Sequence, residues 1–172
     1  AKRLVELGHD VVVLFDSLTR LARAYQQSIG GTSRGGSDTA WVHPTKKLFG
    51  AARNVDGGGS LTILGTLVTG TGLAVDAVVA SEISSTATWE LRLDAGCASS
   101  RMFPAVDIAA TRTKRDDLLL ASDEAAAIAG IRKSMGSLDT SAALNVALEA
   151  MKKSSSNVEF LVAMGKQAST SN

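Results

Sequence analysis

The sequence predicts an α/β fold in which helices flank a parallel sheet and a small helical region follows. Residues 11–15 form an unbroken apolar run that is mostly β-branched, and residues 61–68 form a second, largely apolar run. Short runs of this kind are typical of strands buried on both faces of a parallel sheet. From Ser122 onward the apolar residues instead recur at helical spacing. We therefore place an α/β domain at residues 1–120 and a helical subdomain at residues 121–172.

The composition is that of one domain with an aliphatic core. The chain has 172 residues, of which 45% are hydrophobic and only 4% are aromatic, and this length suffices for a sizeable core. No apolar run approaches the roughly 20 residues that a membrane span needs. Cys97 is the only cysteine, so no disulfide framework or cysteine metal site is expected, and a reducing cytoplasm fits. The chain opens inside a predicted helix and without Met, which indicates a fragment of a longer protein.

The charge is unevenly distributed, although the net charge is only +1. Residues 1–53 carry eight Lys and Arg against four acids, whereas the remainder carries ten against thirteen. A basic half can mark a side that faces phosphates, and ordinary surface scatter explains the same imbalance. His9 and His43 have no further ligand type at a suitable spacing, so neither supports a metal site.

Asp16 ends the first predicted strand. A core strand cannot leave a carboxylate inside without a partner, and ligands bind at the carboxyl ends of parallel strands. One reading is that Asp16 holds Mg²⁺ through the water shell of the metal, as a carboxylate does at this place in P-loop nucleotidases. The other reading is that Asp16 and Ser17 only cap the next helix, which is predicted from Leu18 to about Ser28.

The middle of the chain is expected to contain one helix and several short strands. The helix is predicted from about Val42 to Arg53, with a proline near its first turn. Residues 76–83 are expected to form a short strand or turn. The alternation over residues 88–93 predicts a strand with Trp89, Leu91 and Leu93 on one face. Residues 103–107 are predicted to form a short strand that opens near a proline.

The helical region is expected to contain three helices. Ser122, Asp139 and Asn157 are the predicted caps, because short polar side chains bond the free amides of a helix start. In the second of these helices the spacing predicts that Ala143, Val146, Ala147 and Met151 point inward.

Five blocks of the sequence carry a family resemblance: Asp16–Tyr25, Phe49–Asn54, Gly58–Ile63, Phe103–Asp107 and Leu118–Leu120. In these blocks, which match in order and with nearly the same spacing, the chain closely resembles the Rho family of bacterial transcription terminators, which are hexameric RNA-dependent ATPases and helicases. The first block matches the family's Walker B strand end and following helix. The resemblance implies the carboxyl-terminal half of a RecA-like P-loop ATPase domain with ATP and Mg²⁺ as cofactors. It also implies RNA, a homo-hexamer and the RNA polymerase complex as partners.

Two glycine-containing loops correspond to the loops with which this family grips RNA. Residues 29–38 contain four Gly and the single cation Arg34, and the resemblance assigns Arg34, Gly35 and Gly36 to RNA contacts. A flexible connector is the alternative for this loop. The second loop retains Thr71 and Gly72. It departs from the family at Gly70, where an acid is usual, and at Ala74, where many members have Lys, so any grip is weaker or comes from backbone amides.

The resemblance also assigns nucleotide-contacting residues. Phe103 would pack on the adenine of ATP, and the alternative is that it belongs to the core. Lys114 occupies the place of the arginine finger that reaches into a neighbouring subunit, with Arg115 or Arg112 as substitutes after a slip of one or two residues. A Lys lacks the planar fork of Arg. Arg101 retains a basic residue of the family, whereas Ala95 replaces one.

No Gly-x-x-x-x-Gly-Lys-Ser/Thr motif occurs in the 172 residues, so these residues alone cannot build a phosphate cradle. We therefore expect a fragment of an RNA-dependent ATPase and helicase that is inactive when isolated. The alternative is a non-catalytic ring-assembly module, to which the losses at Ala74, Ala95 and Lys114 would be suited. The subunits of rotary ATP synthases share the implied fold, but the matched blocks fit them poorly.

Overall fold

The computed structural model describes residues 1–29 and 39–170. The chain divides into two compact units, Ala1–Ala87 and Thr88–Asn172. The predicted boundary between residues 120 and 121 separates an α/β domain from a helical subdomain, whereas the two units are separated by their compactness. The boundary at 120 therefore stays a prediction. Within the described residues, no helix combines the length and the apolar character needed to cross a bilayer.

The first unit is a small sheet with helices. Its helices are α1 (Lys2–Glu6), α2 (Leu18–Ile29), α3 (His43–Phe49) and α4 (Ala74–Thr86), and its strands are β1 (Val11–Phe15), β2 (Arg53–Asn54) and β3 (Ser60–Gly65). The strand order is β1-β3-β2. Strands β1 and β3 are parallel, with Val13 opposite Ile63, and β2 is antiparallel to β3. The predicted parallel pair is therefore present.

The core of this unit lies between helices α2 and α4. Leu18 and Ala22 of α2 are fully buried against Val79 and Ile83 of α4, together with Val42. These residues recur at helical spacing in both helices, which places them on one face. Gly65 at the end of β3 allows this packing, because a Cβ there would collide with the side chain of Leu18.

The prediction that β1 is buried on both faces is wrong for one face. Val12 and Leu14 are 64% and 74% exposed, and Leu64 of β3 is exposed beside them. Strand β1 also lies at the edge of the sheet. The run is apolar on both faces, but within the described residues only one face is covered.

Two element predictions in this unit need correction. Helix α3 ends at Phe49 rather than near Arg53, because the following residues turn and pair with β3 as strand β2. Residues 76–83, predicted as a strand or turn, lie inside helix α4. Asp76, Val79 and Ile83 are its buried residues, and their helical spacing prevails over the strand preference of the β-branched side chains.

The second unit combines short strands with helices. Strands β4 (Trp89–Glu90) and β5 (Arg112–Thr113) form an antiparallel pair. The helices are α5 (Ala95–Ser99), α6 (Ser122–Met135), α7 (Thr140–Lys153) and α8 (Asn157–Thr170). Ile131 and Met135 of α6 pack with Ala143 and Ala147 of α7 and with Leu161 and Met164 of α8. A smaller cluster joins Cys97, Ala105 and Leu144.

The strand predictions in this unit were too long. Only Trp89 and Glu90 form a strand in the segment 88–93, and Leu93 makes an isolated bridge to Val106. The predicted strand 103–107 is otherwise irregular. Trp89, Leu91 and Leu93 are all exposed, so their shared face has no cover among the described residues.

Three helices are present where they were predicted, but two caps differ. Asp139 caps α7 as expected, since its carboxylate accepts from the amide of Ala142 at 2.7 Å. Ser122 is the first residue of α6 rather than its cap, and Glu124 reaches back to the amide of Ala121. At α8 the hydroxyl of Ser156, not Asn157, accepts from the amide of Glu159. In α7, Val146 and Met151 are exposed and were wrongly predicted to point inward.

Candidate functional site

Asp16 and Ser17 have separate roles at the end of β1. Ser17 is buried, and its hydroxyl accepts from the backbone N–H of Arg20 at 3.2 Å, so Ser17 caps helix α2. Asp16 is exposed at the carboxyl end of the strand. Its Oδ1 accepts a hydrogen bond from the Thr66 hydroxyl at 2.7 Å. Because the Ser17 hydroxyl caps α2, the helix does not require the carboxylate of Asp16 as a cap.

Thr66 is a site residue that the sequence reasoning missed. It directly follows β3, the parallel neighbour of β1, and such strand ends meet at the same edge of a sheet. A carboxylate and a hydroxyl side by side suit Mg²⁺, which prefers oxygen ligands and retains several of its waters. Among the described residues, no group of three or more His, Cys, Asp or Glu side chains could enclose a metal. The two oxygen atoms of Asp16 and Thr66 would contact a Mg²⁺ ion through its waters.

The loop between β3 and α4 carries Thr71 and Gly72 on the surface. Gly70 and Gly72 adopt φ angles of 73° and 74°, which favour glycine. The Thr71 hydroxyl donates to Oδ2 of Asp76 at 2.6 Å and accepts from the amide of Leu73 at 3.3 Å. Because this hydroxyl is already engaged, a phosphate would meet mainly the backbone of the loop.

Asp76 and Arg23 form an ion pair beside this loop, and sequence reasoning did not single out this pair. Asp76 is only 2% exposed. The Nε of Arg23 donates to its Oδ1 at 2.9 Å, and Nη2 donates to Oδ2. The hydrogen bonds from Arg23 and then Thr71 hold the pKa of Asp76 below its usual value. The placement of Asp76 at helical spacing with Val79 and Ile83 was the sequence signal for a buried, and hence paired, carboxylate.

The other predicted RNA contacts, Arg34, Gly35 and Gly36, lie outside the described residues. Their assignment stays a prediction.

Phe103 and Arg101 lie in the second unit on a segment that follows helix α5. Phe103 is 66% exposed, so the alternative that it is a core residue is wrong among the described residues. Arg101 is also exposed, and its φ is 58°. That angle is uncommon for a residue other than glycine, and it occurs where a glycine often ends a helix.

The three basic residues of the candidate finger have different surroundings. Arg112 donates to Oε1 of Glu90 at 3.0 Å, and Glu90, which is 10% exposed, also accepts from Arg92. Arg115 donates through Nε and Nη2 to Asp117, at 2.9 Å each. The backbone N–H of Lys114 donates to the carbonyl of Thr88 at 2.9 Å, and its side chain is exposed. Both arginine substitutes for the finger are therefore engaged by carboxylates of this chain.

A groove of about 460 Å³ lies between helices α7 and α8 of the second unit. Its lining is largely apolar and includes Val146, Ala150, Ala163 and Met164. It contains none of the predicted site residues.

The chain is similar in sequence to transcription termination factors over nearly its whole length. It is 47% identical to transcription termination factor Rho of Streptomyces lividans over 173 residues, which is 99% of this chain and 24% of that protein. Rho of Mycobacterium tuberculosis H37Rv is 44% identical over 96% of the chain and 28% of that protein. Rho of Streptosporangium roseum is 44% identical over 94% of the chain and 43% of that protein. No protein-family model matches the chain.

Solved structures of ATPases share its fold. A prototypical ATPase of the type III secretion system of pathogenic bacteria superposes with a TM-score of 0.69 at 20% identity, over 96% of this chain and 56% of that one. The assembled ATPase EscN of enteropathogenic E. coli gives 0.70 at 20% identity, over 98% and 47%. These likenesses confirm the predicted RecA-like α/β fold.

The chain spans about a quarter to two fifths of the length of the curated relatives it matches. Each match extends along nearly the whole chain rather than over one motif, since at most six percent of the chain falls outside it. By sequence, the chain therefore corresponds to a segment of the transcription termination factor Rho proteins that it matches.

Proposed function

We propose that this chain is part of an ATP-driven, RNA-dependent translocase that terminates transcription. The observation that carries the proposal is the 47% identity to a transcription termination factor over 99% of the chain. The protein would assemble as a homo-hexameric ring, pull the nascent transcript through its centre and act on the RNA polymerase complex.

The nucleotide roles follow from the positions described above. Asp16, oriented by Thr66, would hold the waters of a Mg²⁺ ion, which neutralises charge on the phosphates of ATP when bound. Phe103 would flank the adenine, which its exposure permits. Lys114 or Arg115 would serve the ATP of a neighbouring subunit, and Arg101 would assist. Positive groups aimed at the developing charge are the main source of catalysis in phosphoryl transfer.

The RNA roles fall on two loops. Arg34, Gly35 and Gly36 would contact phosphates from one loop, and Thr71 and Gly72 from the other. Backbone amides of glycine-rich loops suit phosphate contacts, which carry affinity without base specificity. The proposal extends to residues 1–172 in isolation, which would neither bind ATP tightly nor hydrolyse it, because they contain no phosphate-cradle motif.

The test is ATP hydrolysis by the purified full-length protein, measured as phosphate release with and without single-stranded RNA. We expect RNA to stimulate the rate, and Asp16→Asn to reduce the stimulated rate by about 10–100-fold, as is typical for residues that act through a metal's water shell. Asp10→Asn is the matched control, because Asp10 precedes the same strand and its described hydrogen bonds come from Ser60. Hydrolysis that is indifferent to RNA, or to Asp16→Asn, would contradict the proposal.

A second candidate is a ring-assembly module without catalysis. It is favoured by the Lys at position 114 and by the engagement of Arg112 and Arg115 with Glu90 and Asp117. A full-length protein that forms rings but hydrolyses no ATP in the presence of RNA would support this candidate.

A further inference from the structure

Lys114, which occupies the place of the finger, directly follows strand β5 of the second unit. Its backbone N–H donates to the carbonyl of Thr88 at 2.9 Å, which extends the pairing of β5 with β4 by one residue. Each of these strands has only two residues, and a two-stranded pair is marginally stable on its own. The place of Lys114 therefore depends on the contacts that side chains add to this pair.

Thr111, the residue before β5, is held by three hydrogen bonds. Its amide donates to the carbonyl of Asp107 at 3.0 Å, and its hydroxyl accepts from the amide of Arg92 at 3.1 Å. Its carbonyl accepts from Nη1 of Arg132 at 2.8 Å. Because Arg132 belongs to helix α6, this third bond links the helix to the segment that leads to Lys114.

Helix α6 is a rigid base for this contact. Ile131 and Met135, on either side of Arg132 along the helix, are buried and pack with helices α7 and α8. Close-packed interiors of this kind move little. Arg132 itself is exposed, but a hydrogen bond from a charged donor is stronger than a neutral one. Through Arg132, the carbonyl of Thr111 is therefore held relative to the core of the three helices.

Glu90 holds strand β5 at the next residue. It lies on β4, opposite Arg112 in the register of the two strands. Its Oε1 accepts from Arg112 at 3.0 Å, and its Oε2 accepts from Arg92 at 2.9 Å. The side chain of Glu90 is only 10% exposed, and charge-assisted bonds to both oxygens fix its orientation. Glu90 therefore adds a side-chain connection to the backbone pairing of β4 with β5.

We propose that Arg132 and Glu90 are positioning residues for Lys114, which they hold at one place for the ATP of a neighbouring subunit. A displacement of about 1 Å can cost about 100-fold in rate. A Lys ammonium on its flexible stem lacks the preorganised fork of Arg, so the backbone that carries it must be placed precisely. This inference rests on the proposed function, and it adds two residues to the role proposed there for Lys114.

The first arm of the test needs no ligand. Hydrogen exchange is followed by mass spectrometry in the full-length protein, on peptides that cover residues 107–116. Arg132→Gln and Glu90→Gln are expected to speed exchange in these peptides by about tenfold, because each substitution releases one anchor of β5. Lys133→Gln is the matched control, since Lys133 is the next residue of α6, is also exposed and has no described bond to this segment. Unchanged exchange in 107–116, or an equal change in the control, overturns the inference.

The second arm measures RNA-stimulated ATP hydrolysis by the full-length protein. We expect Arg132→Gln to lower kcat by about tenfold and to leave the KM for ATP nearly unchanged, because the finger acts on the transition state. Arg132→Lys keeps the charge and should recover part of the loss, whereas Lys133→Gln should have no effect.

The Lys114→Ala background distinguishes positioning from a general loss of stability. If Arg132 acts through Lys114, Arg132→Gln should cost less than about twofold once Lys114 is replaced. A destabilised fold would instead lower the rate by the same factor in both backgrounds. Equal costs in the two backgrounds therefore overturn the inference.

The outcomes separate the two proposals. If the full-length wild type hydrolyses no ATP in the presence of RNA, the proposed function fails, and the exchange arm still decides whether Arg132 and Glu90 hold the segment. If it hydrolyses ATP and Arg132→Gln lowers kcat no more than Lys133→Gln does, the inference is overturned while the proposed function stands. A loss that is specific to Arg132→Gln and disappears in the Lys114→Ala background supports both.

Discussion

At the scale of single residues, three buried or half-buried carboxylates form ion pairs with four basic residues. Asp76 holds Arg23, Glu90 holds Arg92 and Arg112, and Glu82 holds Lys46. Each acid lies on an element different from that of at least one of its basic partners, so each pair joins two elements. Burial of a carboxylate is tolerated only when such partners are present. These pairings could not be predicted from the sequence, because the two residues of a pair are up to 53 positions apart along the chain.

The pKa of Asp76 links this pairing to pH. Arg23, and after it Thr71, hold that pKa below the ordinary value of 3.8. A carboxyl whose pKa is lower in the folded than in the unfolded state stabilises the fold above the unfolded pKa, and that stabilisation is lost as the pH falls through the folded pKa. We therefore expect the unfolding free energy to decrease as the pH falls below about 4, and to decrease less steeply in Asp76→Asn.

Urea unfolding at pH 5 and pH 3 measures this slope. Thr71→Val removes only the weaker of the two causes and should give an intermediate slope. Equal slopes in the wild type and in Asp76→Asn would contradict the assignment.

Two substitutions at Arg101 distinguish the effect of its backbone strain on stability from the effect of its positive charge on activity. Its φ of 58° costs a side-chain-bearing residue about 1–2 kcal/mol, whereas glycine adopts that angle freely. We expect Arg101→Gly to be more stable than Arg101→Ala by about 1 kcal/mol, as measured by urea unfolding. If the guanidinium assists ATP hydrolysis, both variants of the full-length protein should lose activity to the same extent. A more stable Ala variant would show that the positive φ is not retained in solution.

Substitutions at Arg112, Lys114 and Arg115 test which of these residues acts as the finger on the ATP of a neighbouring subunit. Transition-state arginines contribute about 10³–10⁵-fold to the rate in related nucleotidases. We expect Lys114→Ala to cause the largest loss of RNA-stimulated hydrolysis in the full-length protein. Arg112→Ala should cost less than tenfold by comparison, because Glu90 already engages Arg112. Arg115→Ala should lie between them. A larger loss from Arg115→Ala than from Lys114→Ala would move the finger to Arg115.

At the scale of elements, apolar spacing predicted the helices that follow Ser122 and the parallel pair of β1 and β3. It failed at α4, where β-branched residues suggested a strand although Asp76, Val79 and Ile83 are spaced as on one helix face. It also failed at Val146 and Met151 of α7, whose positions satisfy the helical period but lie outside the contact with α6 and α8. Periodicity identifies a helix face more reliably than it identifies the width of the buried part of that face.

The contact of α2 with β3 gives the element-scale prediction. Because a Cβ at Gly65 would overlap the fully buried Leu18, we expect Gly65→Ala to destabilise the chain by about 1–3 kcal/mol, the usual cost of overpacking. Urea unfolding of Gly65→Ala, Leu18→Val and the double variant provides the check. If the overlap is the cause, Leu18→Val should cost less in the Gly65→Ala background than alone. Additive costs would place the effect elsewhere.

At the scale of the whole molecule, the apolar face formed by Val12, Leu14 and Leu64 is exposed, and none of the described residues covers it. The sequence predicted a strand that needs cover on both faces, and the structure covers one. The candidate site shows the same incompleteness, since Asp16 and Thr66 lie at the edge of this sheet without a phosphate-cradle motif in the chain. Both observations are consistent with a chain that spans only part of the length of the relatives it matches.

Because Val12 and Leu14 are exposed, we expect their replacement to have opposite effects in the isolated 172-residue chain and in the full-length protein. An apolar edge strand is prone to pair with other chains, so replacing Val12 and Leu14 with Thr should reduce self-association of the isolated 172-residue chain, measured by light scattering. In the full-length protein, where we expect the face to be covered, the same replacements should destabilise the fold by about 1–3 kcal/mol per residue, measured as a lower unfolding midpoint. Val158 and Val162, which are exposed on α8, provide the control pair. Because replacing either pair with Thr removes the same kind of surface, equal effects of the two pairs in the full-length protein would show that the sheet face is not covered there.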